Sequence, residues 1–181
     1  MRWLASLVLR ILGWKSIGHK KLDQYPKFIL IVAPHTSNWD FPLGLLLRKS
    51  CSLEYVKYLG KDSLFRPPLG WLFRALGGFP VDRSKSNNMV NSIIELFNSK
   101  DRFAIVMSPE GTRKKVEHFR TGFYYIAKGA NIPIIPCMFD YAKKECRYMD
   151  PFYCTNNTEQ DILNIENKFR GIQGKNPEYN F

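Results

Sequence analysis

The sequence has little acidic charge, no long apolar run and no closely paired cysteines. Its 16 acidic residues stand against 27 basic ones, which gives a formal net charge of +11. A balance this basic favours an anionic partner, which could be nucleic acid, an anionic membrane surface or a phosphorylated substrate. The alternative is a basic face that is simply solvated. No segment reaches the roughly 18 consecutive apolar residues expected of a membrane-spanning helix.

The cysteine pattern argues against a metal site and against a disulfide framework. None of the four cysteines forms a C-x-x-C pair, and no histidine follows one of them at the spacing of a zinc site. A chain of this length can build its own core without disulfides, so we expect reduced thiols in a cytoplasmic setting. These four residues are Cys51, Cys137, Cys146 and Cys154.

Short apolar runs alternate with helical patterns along the 181 residues. Residues 28–33 (FILIVA) and 103–107 (FAIVM) are typical of buried strands, and helices are predicted to follow both. This alternation predicts an α/β fold: a single domain with a central mixed, mostly parallel β-sheet flanked by helices. In such folds active sites gather on the loops that follow the strands.

The first residues, MRWLASLVLRILGW, predict an amphipathic helix. Trp3 and Trp14 flank the apolar run, and Arg2, Arg10 and Lys15 add positive charge. We expect residues 1–16 to form a helix at a membrane interface, ahead of the α/β domain at 17–181. An ordinary helix that packs on the domain is the alternative. A signal peptide is disfavoured because Arg10 interrupts the run and no small-residue cleavage site follows.

His35 and Asp40 are the candidate catalytic pair. His35 follows a buried strand, and Asp40 is expected in the first turn of the next helix. A carboxylate that folds back onto the imidazole would fix its tautomer, so that the ring can take a proton from an attacking alcohol. The spacing alone is weak evidence, because a histidine at this position is equally compatible with a structural role.

Two further segments predict anion binding. Glu110, Gly111, Thr112 and Arg113 follow the second buried strand, where Gly111 allows a tight turn and Arg113 can hold a phosphate through two parallel bonds. Glu110 is expected to orient Arg113 or to bond a hydroxyl group. A surface turn with a solvated charge pair is the alternative.

The second such segment runs from Gly77 to Arg83 and ends in another candidate phosphate ligand, Arg83. Lys61 follows a predicted strand and adds positive potential. A plain loop with a local ion pair is the alternative for this segment.

Together these motifs resemble the 1-acylglycerol-3-phosphate O-acyltransferase family over about residues 28–139. The family's histidine-x4-aspartate motif matches His35 to Asp40, its glycine-to-arginine motif matches Gly77 to Arg83, and its E-G-T-R motif matches Glu110 to Arg113. A later proline-centred motif matches 134–136. The chain departs at Pro80, where the family usually has a bulky apolar residue, and its shortness suggests a compact bacterial type.

The resemblance implies a role for each of these residues. His35 would be the general base and Asp40 its partner, while Arg83 and residues 110–113 would bind the acceptor phosphate. Pro136 would shape a substrate pocket. The donor would be acyl coenzyme A or acyl carrier protein, the acceptor a phosphorylated lysolipid, and no metal or other cofactor is implied.

We therefore expect a peripheral or monotopic enzyme on the cytoplasmic face of the membrane that makes phospholipid and does not bind nucleic acid. A basic module that binds membranes or nucleic acid without catalysis, and a thioester hydrolase, are the alternatives.

Overall fold

Helices and strands alternate along most of the chain. A computed structural model describes residues 2–81 and 86–181. The helices are α1 (Arg2–Ile11), α2 (Asp40–Ser50), α3 (Gly70–Ala75), α4 (Ser86–Asn98), α5 (Gly122–Ala130) and α6 (Thr158–Asn167). The strands are β1 (Lys15–Ile17), β2 (Lys27–Ala33), β3 (Val56–Lys61), β4 (Gly78–Val81), β5 (Phe103–Met107), β6 (Ile134–Asp140) and β7 (Glu145–Tyr148).

The strands form one seven-stranded sheet in the order β1-β7-β6-β2-β5-β3-β4. Every neighbouring pair is parallel except β6 and β7, which are antiparallel. This mixed, mostly parallel sheet confirms the predicted fold class. Strand β2 lies at its centre, with Ile29 opposite Ile105 of β5 and opposite Ile134 of β6.

Both faces of the sheet are covered, so most residues of the central strands are buried. Successive β2 residues alternate between two apolar clusters. Ile29 and Ile31 join one cluster with residues of α4, α5 and α6, whereas Phe28 and Leu30 join the other with residues of α1 and α2. Helices α1 and α2 cover the face of the sheet on which the candidate site lies.

The chain differs from expectation at its beginning. Helix α1 ends at Ile11, and Lys15–Ile17, predicted partly as helix, form the edge strand β1 beside β7. Trp14 packs edge-on against Tyr141 with 4.9 Å between ring centroids and is half-buried, so it does not extend the exposed surface of the helix. Within the described residues, no helix combines the length and apolarity needed to cross a bilayer.

Candidate active site

Three adjacent strands end at the same edge of the sheet and carry the polar residues of the candidate site. His35 follows β2, Glu110 and Arg113 follow β5, and Tyr141 follows β6. Since β2 lies between β5 and β6 and runs parallel to both, the three segments that follow are neighbours in space. Residues far apart in sequence therefore meet at the carboxyl end of the central strand.

His35 and Asp40 are in direct contact. The Nδ1 atom of His35 lies 2.9 Å from Oδ2 of Asp40, and the same oxygen accepts a hydrogen bond from the backbone N–H of Ser37 at 3.0 Å. The other carboxylate oxygen accepts from the hydroxyl of Tyr141 at 2.6 Å. An ionised carboxylate only accepts hydrogen bonds, so Nδ1 carries the proton and Nε2 is left unprotonated in the neutral ring.

Asp40 is held in its ionised form although its side chain is almost entirely buried. Burial by itself favours the neutral acid, but the hydrogen bonds from His35, Tyr141 and Ser37 outweigh it, so the pKa of Asp40 lies below its ordinary value. The hydroxyl of Tyr141 stays protonated, because burial and the adjacent carboxylate raise the pKa of Tyr141 far above its usual range. Asp40 is the first residue of α2, and its carboxylate turns back toward the preceding loop.

Glu110 holds the backbone of the histidine and lies away from solvent. Its Oε2 atom accepts hydrogen bonds from the backbone N–H of His35 at 2.7 Å and from the hydroxyl of Ser108 at 3.1 Å. The residue is 2% exposed, and burial raises the pKa of Glu110 despite these two bonds. Sequence reasoning expected Glu110 to orient Arg113 or bond a substrate hydroxyl; in the structure its contacts are those of a positioning residue.

The turn after β5 contains two further predicted residues, Gly111 and Thr112. Gly111 has a φ of 65°, in the left-handed region that favours glycine, and its N–H bonds to the carbonyl of Ser108. A Cβ there would lie 2.6 Å from the side chain of Arg120. The hydroxyl of Thr112 accepts from the N–H of Lys114 at 3.3 Å, which stabilises the turn.

Arg113 lies in the wall of the same cavity as His35 and Asp40. Its side chain is exposed, and it forms no ion pair with any carboxylate of the described ranges. A guanidinium in this setting is available to bind an anion. The imidazole and the cationic side chain therefore border one shared space.

This cavity has a volume of about 310 Å³ and lies between the sheet and α2. Its wall is mostly apolar, and its few polar side chains come from the strand ends and from α2. The apolar lining includes Leu30, Val32, Leu45, Leu47, Leu53, Val56, Leu59, Val106, Met107 and Phe139. An apolar chamber with polar groups at the strand ends suits an amphiphilic ligand with one reactive polar end.

Three other residues were predicted to bind substrate: Pro136, Lys61 and Arg83. Pro136 is buried in β6 between Ile135 and Cys137, both of which belong to the cluster beneath α2. Alternation along the strand puts Pro136 on the opposite face, so it can affect the cavity only indirectly. Lys61 ends β3, where its backbone pairs with Val81. Arg83 lies outside the described residues.

A family model described as Acyltransferase matches residues 16–140 of the chain. The chain belongs to this acyltransferase family. The match covers β1 to β6 and includes His35, Asp40 and residues 110–113. The resemblance recognised from the motifs is thereby confirmed.

Curated relatives carry the name 1-acyl-sn-glycerol-3-phosphate acyltransferase. The Saccharomyces cerevisiae protein is 28% identical over 130 residues, which cover 67% of this chain and 41% of that protein. The Haemophilus influenzae protein is 29% identical over 154 residues, covering 75% and 62%. The Escherichia coli protein is 30% identical over 112 residues, covering 59% and 44%. The chain thus spans roughly half the length of the relatives it matches.

The fold is shared with a solved structure. The crystal structure of the 1-acyl-sn-glycerophosphate (LPA) acyltransferase PlsC from Thermotoga maritima superposes with a TM-score of 0.60 at 16% identity. The superposition covers 96% of this chain and 80% of that one. At this identity the likeness establishes a common fold.

The contacts of Tyr141 and Glu110 were not predictable from the motifs. Tyr141 lies beyond the last motif, in a segment with no distinctive spacing, and its bond to Asp40 depends on β6 being the neighbour of β2. Glu110 belongs to the E-G-T-R motif, but its acidic character indicates a contact with Arg113 or with substrate, because nothing in the sequence reveals that it is buried.

Proposed function

We propose that the chain transfers an acyl group from acyl coenzyme A or acyl carrier protein to the hydroxyl group of a lysophosphatidic acid-like acceptor in phospholipid synthesis. The observation that carries this proposal is the shared cavity, in which the His35–Asp40 pair and Arg113 border one mostly apolar space. Membership of the acyltransferase family and the names of the relatives agree with it.

His35 acts as the general base in this proposal. Nε2 takes the proton from the acceptor hydroxyl as its oxygen attacks the thioester carbonyl, a C–O bond forms, and the C–S bond then breaks. The proton passes from the imidazolium to the departing thiolate. Asp40 stabilises the imidazolium between these events, because its carboxylate accepts from Nδ1–H throughout. The apolar wall receives an acyl chain.

The overall reaction is tested by measuring thiol release and labelled products from a long-chain acyl thioester with and without lysophosphatidic acid. Transfer predicts thiol release that depends on the acceptor and a labelled diacyl product. Free fatty acid in the absence of any alcohol would favour a hydrolase. No thiol release with either donor would favour a binding module. A screen of phosphorylated and unphosphorylated acceptors then defines the head group.

Arg113 is proposed to bind the acceptor phosphate. Arg113→Ala is expected to raise the KM for the acceptor about 10- to 100-fold, because hydrogen bonds between charged groups are the strong ones. Arg113→Lys, which keeps the charge but loses the paired geometry, should give a smaller increase. Steady-state kinetics with each substrate varied in turn provide the measurement.

Arg147→Ala is the matched control for Arg113, because Arg147 lies on β7 and pairs with Glu145. It should leave both KM values within about twofold, since this exposed pair is worth little. An equal rise in the KM for donor and acceptor in Arg113→Ala would refute the assignment of Arg113 to the acceptor.

Helix α1 is proposed to hold the enzyme on the cytoplasmic face of an anionic membrane. It packs on the domain through Ala5 and Leu9, whereas its other apolar side chains, above all Trp3 and Ile11 at 70% and 75% exposure, face outward. A row of exposed apolar side chains on one helix, together with the net charge of +11, suits adsorption to anionic lipid.

The double change Trp3→Gln and Ile11→Gln is expected to weaken binding to anionic phosphatidylglycerol vesicles at least about tenfold. The variant lacks two large apolar side chains whose transfer from water into the lipid would stabilise the bound state. Vesicle co-sedimentation measures this affinity. Leu163→Gln is the control: Leu163 is 43% exposed on α6, which covers the opposite face of the sheet. Unchanged binding by the double variant would remove α1 from the membrane contact.

A further inference from the structure

The last described residues lie against the loop that carries His35, although they contribute no strand to the sheet. We call residues 172–181 the strap. The backbone N–H of Asn176 donates to Oγ1 of Thr36 at 3.0 Å, and its side-chain amide donates to the carbonyl oxygen of Thr36 at 2.9 Å. Thr36 is 2% exposed and directly follows His35.

The strap fits closely at this point. A Cβ at Gly174 would lie 2.6 Å from Oγ1 of Thr36, so only glycine allows this approach. The ammonium group of Lys175 lies 4.6 Å from the ring centroid of Trp39, the residue before Asp40. The loop between His35 and Asp40 is therefore held near both of its ends.

Tyr141 connects the strap to the catalytic carboxylate. Its backbone N–H donates to the carbonyl oxygen of Gln173 at 2.8 Å, while its hydroxyl donates to Oδ1 of Asp40 at 2.6 Å. Trp14 packs against its ring. Tyr141 is thus held by its backbone and by its ring while its hydroxyl bonds to Asp40.

We propose that Tyr141 and the strap are positioning elements for the His35–Asp40 pair. This inference rests on the proposed function of that pair. Both elements lie beyond residue 140, where the match to the family model ends, so they add to the family's motifs. With Oδ2 bonded to His35 and Oδ1 bonded to Tyr141, rotation of the carboxylate breaks at least one bond. The strap holds the loop through two hydrogen bonds to Thr36.

Tyr141→Phe tests the first element, because it keeps the ring beside Trp14 and removes only the hydroxyl. We expect kcat to fall about 10-fold, the scale of a lost hydrogen bond to a charged group, with both KM values within about twofold. The donation from Tyr141 lowers the pKa of Asp40, so its removal raises that pKa. Asp40 then protonates at higher pH, so the stabilisation of the fold by its ionised carboxylate becomes smaller and is lost at a higher pH. Tyr153→Phe, at an exposed tyrosine, should change none of these quantities.

Asn176→Ala tests the strap. We expect a fall in kcat of about 3- to 10-fold with unchanged KM values, because the loop loses one side-chain hydrogen bond while the backbone bond remains. Glu178→Gln is the matched control, since this exposed residue lies in the same strap. Thermal unfolding of each variant shows whether the fall in kcat merely reflects a lower overall stability.

The NMR resonance of the His35 Nδ1 proton provides a readout that needs no turnover. We expect this proton to shift or broaden in Tyr141→Phe and in Asn176→Ala, and to remain in place in the two control variants. An unmoved resonance together with an unchanged pH dependence of stability would overturn the positioning roles. If the wild-type protein transfers no acyl group, the proposed function fails, and the resonance alone decides whether these elements position the pair.

Discussion

Replacing His35 by alanine is expected to lower kcat for acyl transfer about 10²- to 10⁴-fold, the usual contribution of a positioned general base. The fold should persist, because the bond that anchors this residue to Glu110 uses its backbone N–H, which alanine retains. The imidazole itself is 26% exposed at the cavity and bonds to Asp40. Rapid-quench measurement of labelled product, with circular dichroism on the same samples, provides the test.

His118→Ala is the control for this prediction. The side chain of His118 is 78% exposed, and its carboxylate partner, Glu166, belongs to α6 on the other side of the sheet. It should retain transfer within about twofold, because the buried carboxylate of Glu166 keeps its hydrogen bond from the backbone N–H of Phe119. A His35→Ala protein that is folded and turns over like the wild type would show that this imidazole is not the base.

Asp40→Asn is expected to reduce kcat by roughly 10²-fold or more without a comparable rise in either KM. The amide of asparagine can donate to Nδ1 of His35, which favours the tautomer with the proton on Nε2. That tautomer cannot accept a proton from the acceptor hydroxyl. The change is nearly isosteric, so the hydroxyl of Tyr141 still finds an acceptor oxygen. Turnover equal to that of the wild type would reduce Asp40 to a structural residue.

The same substitution predicts a change in the pH dependence of stability. The pKa of Asp40 is lowered in the folded state, so the ionised carboxylate stabilises the fold above its unfolded value of about 3.8. That stabilisation is lost as the pH falls through the lowered pKa. Denaturant unfolding at about pH 6 and about pH 2 should show a larger difference between wild type and Asp40→Asn at the higher pH. A difference that grows on acidification would contradict this sign.

Much of the architecture could be predicted because its strands are buried on both faces. Such strands appear as continuous apolar runs, and residues 103–107 coincide with β5 while 28–33 fall within β2. The strands β1 and β7 escaped prediction because they are short and mix polar with apolar residues. The 3-10 helix His19–Gln24 also lacks a distinctive pattern.

The candidate site could be predicted only where its residues lie close together in the sequence. His35 and Asp40 lie five residues apart, so the turn between them suffices to bring them together, and their contact agrees with the expected geometry. Tyr141 and Asn176 contact the same loop from 101 and 140 residues away. Such contacts depend on strand order and on the path of the chain after the last helix, which local patterns do not encode. Residues 172–181 are mostly polar and show no helical or strand pattern, yet they form hydrogen bonds to the buried Thr36.

The edge strand β1 pairs with β7 in parallel and comes far earlier in the chain than its partner. During synthesis on the ribosome, Lys15–Ile17 cannot find this partner until Glu145–Tyr148 have emerged. Helix α1 is joined to β1 by only three residues. Until β7 has emerged, the pairing of β1 with β7 cannot hold this helix in place. If α1 binds a membrane as proposed, the nascent chain therefore presents this amphipathic helix to the bilayer before its sheet is complete.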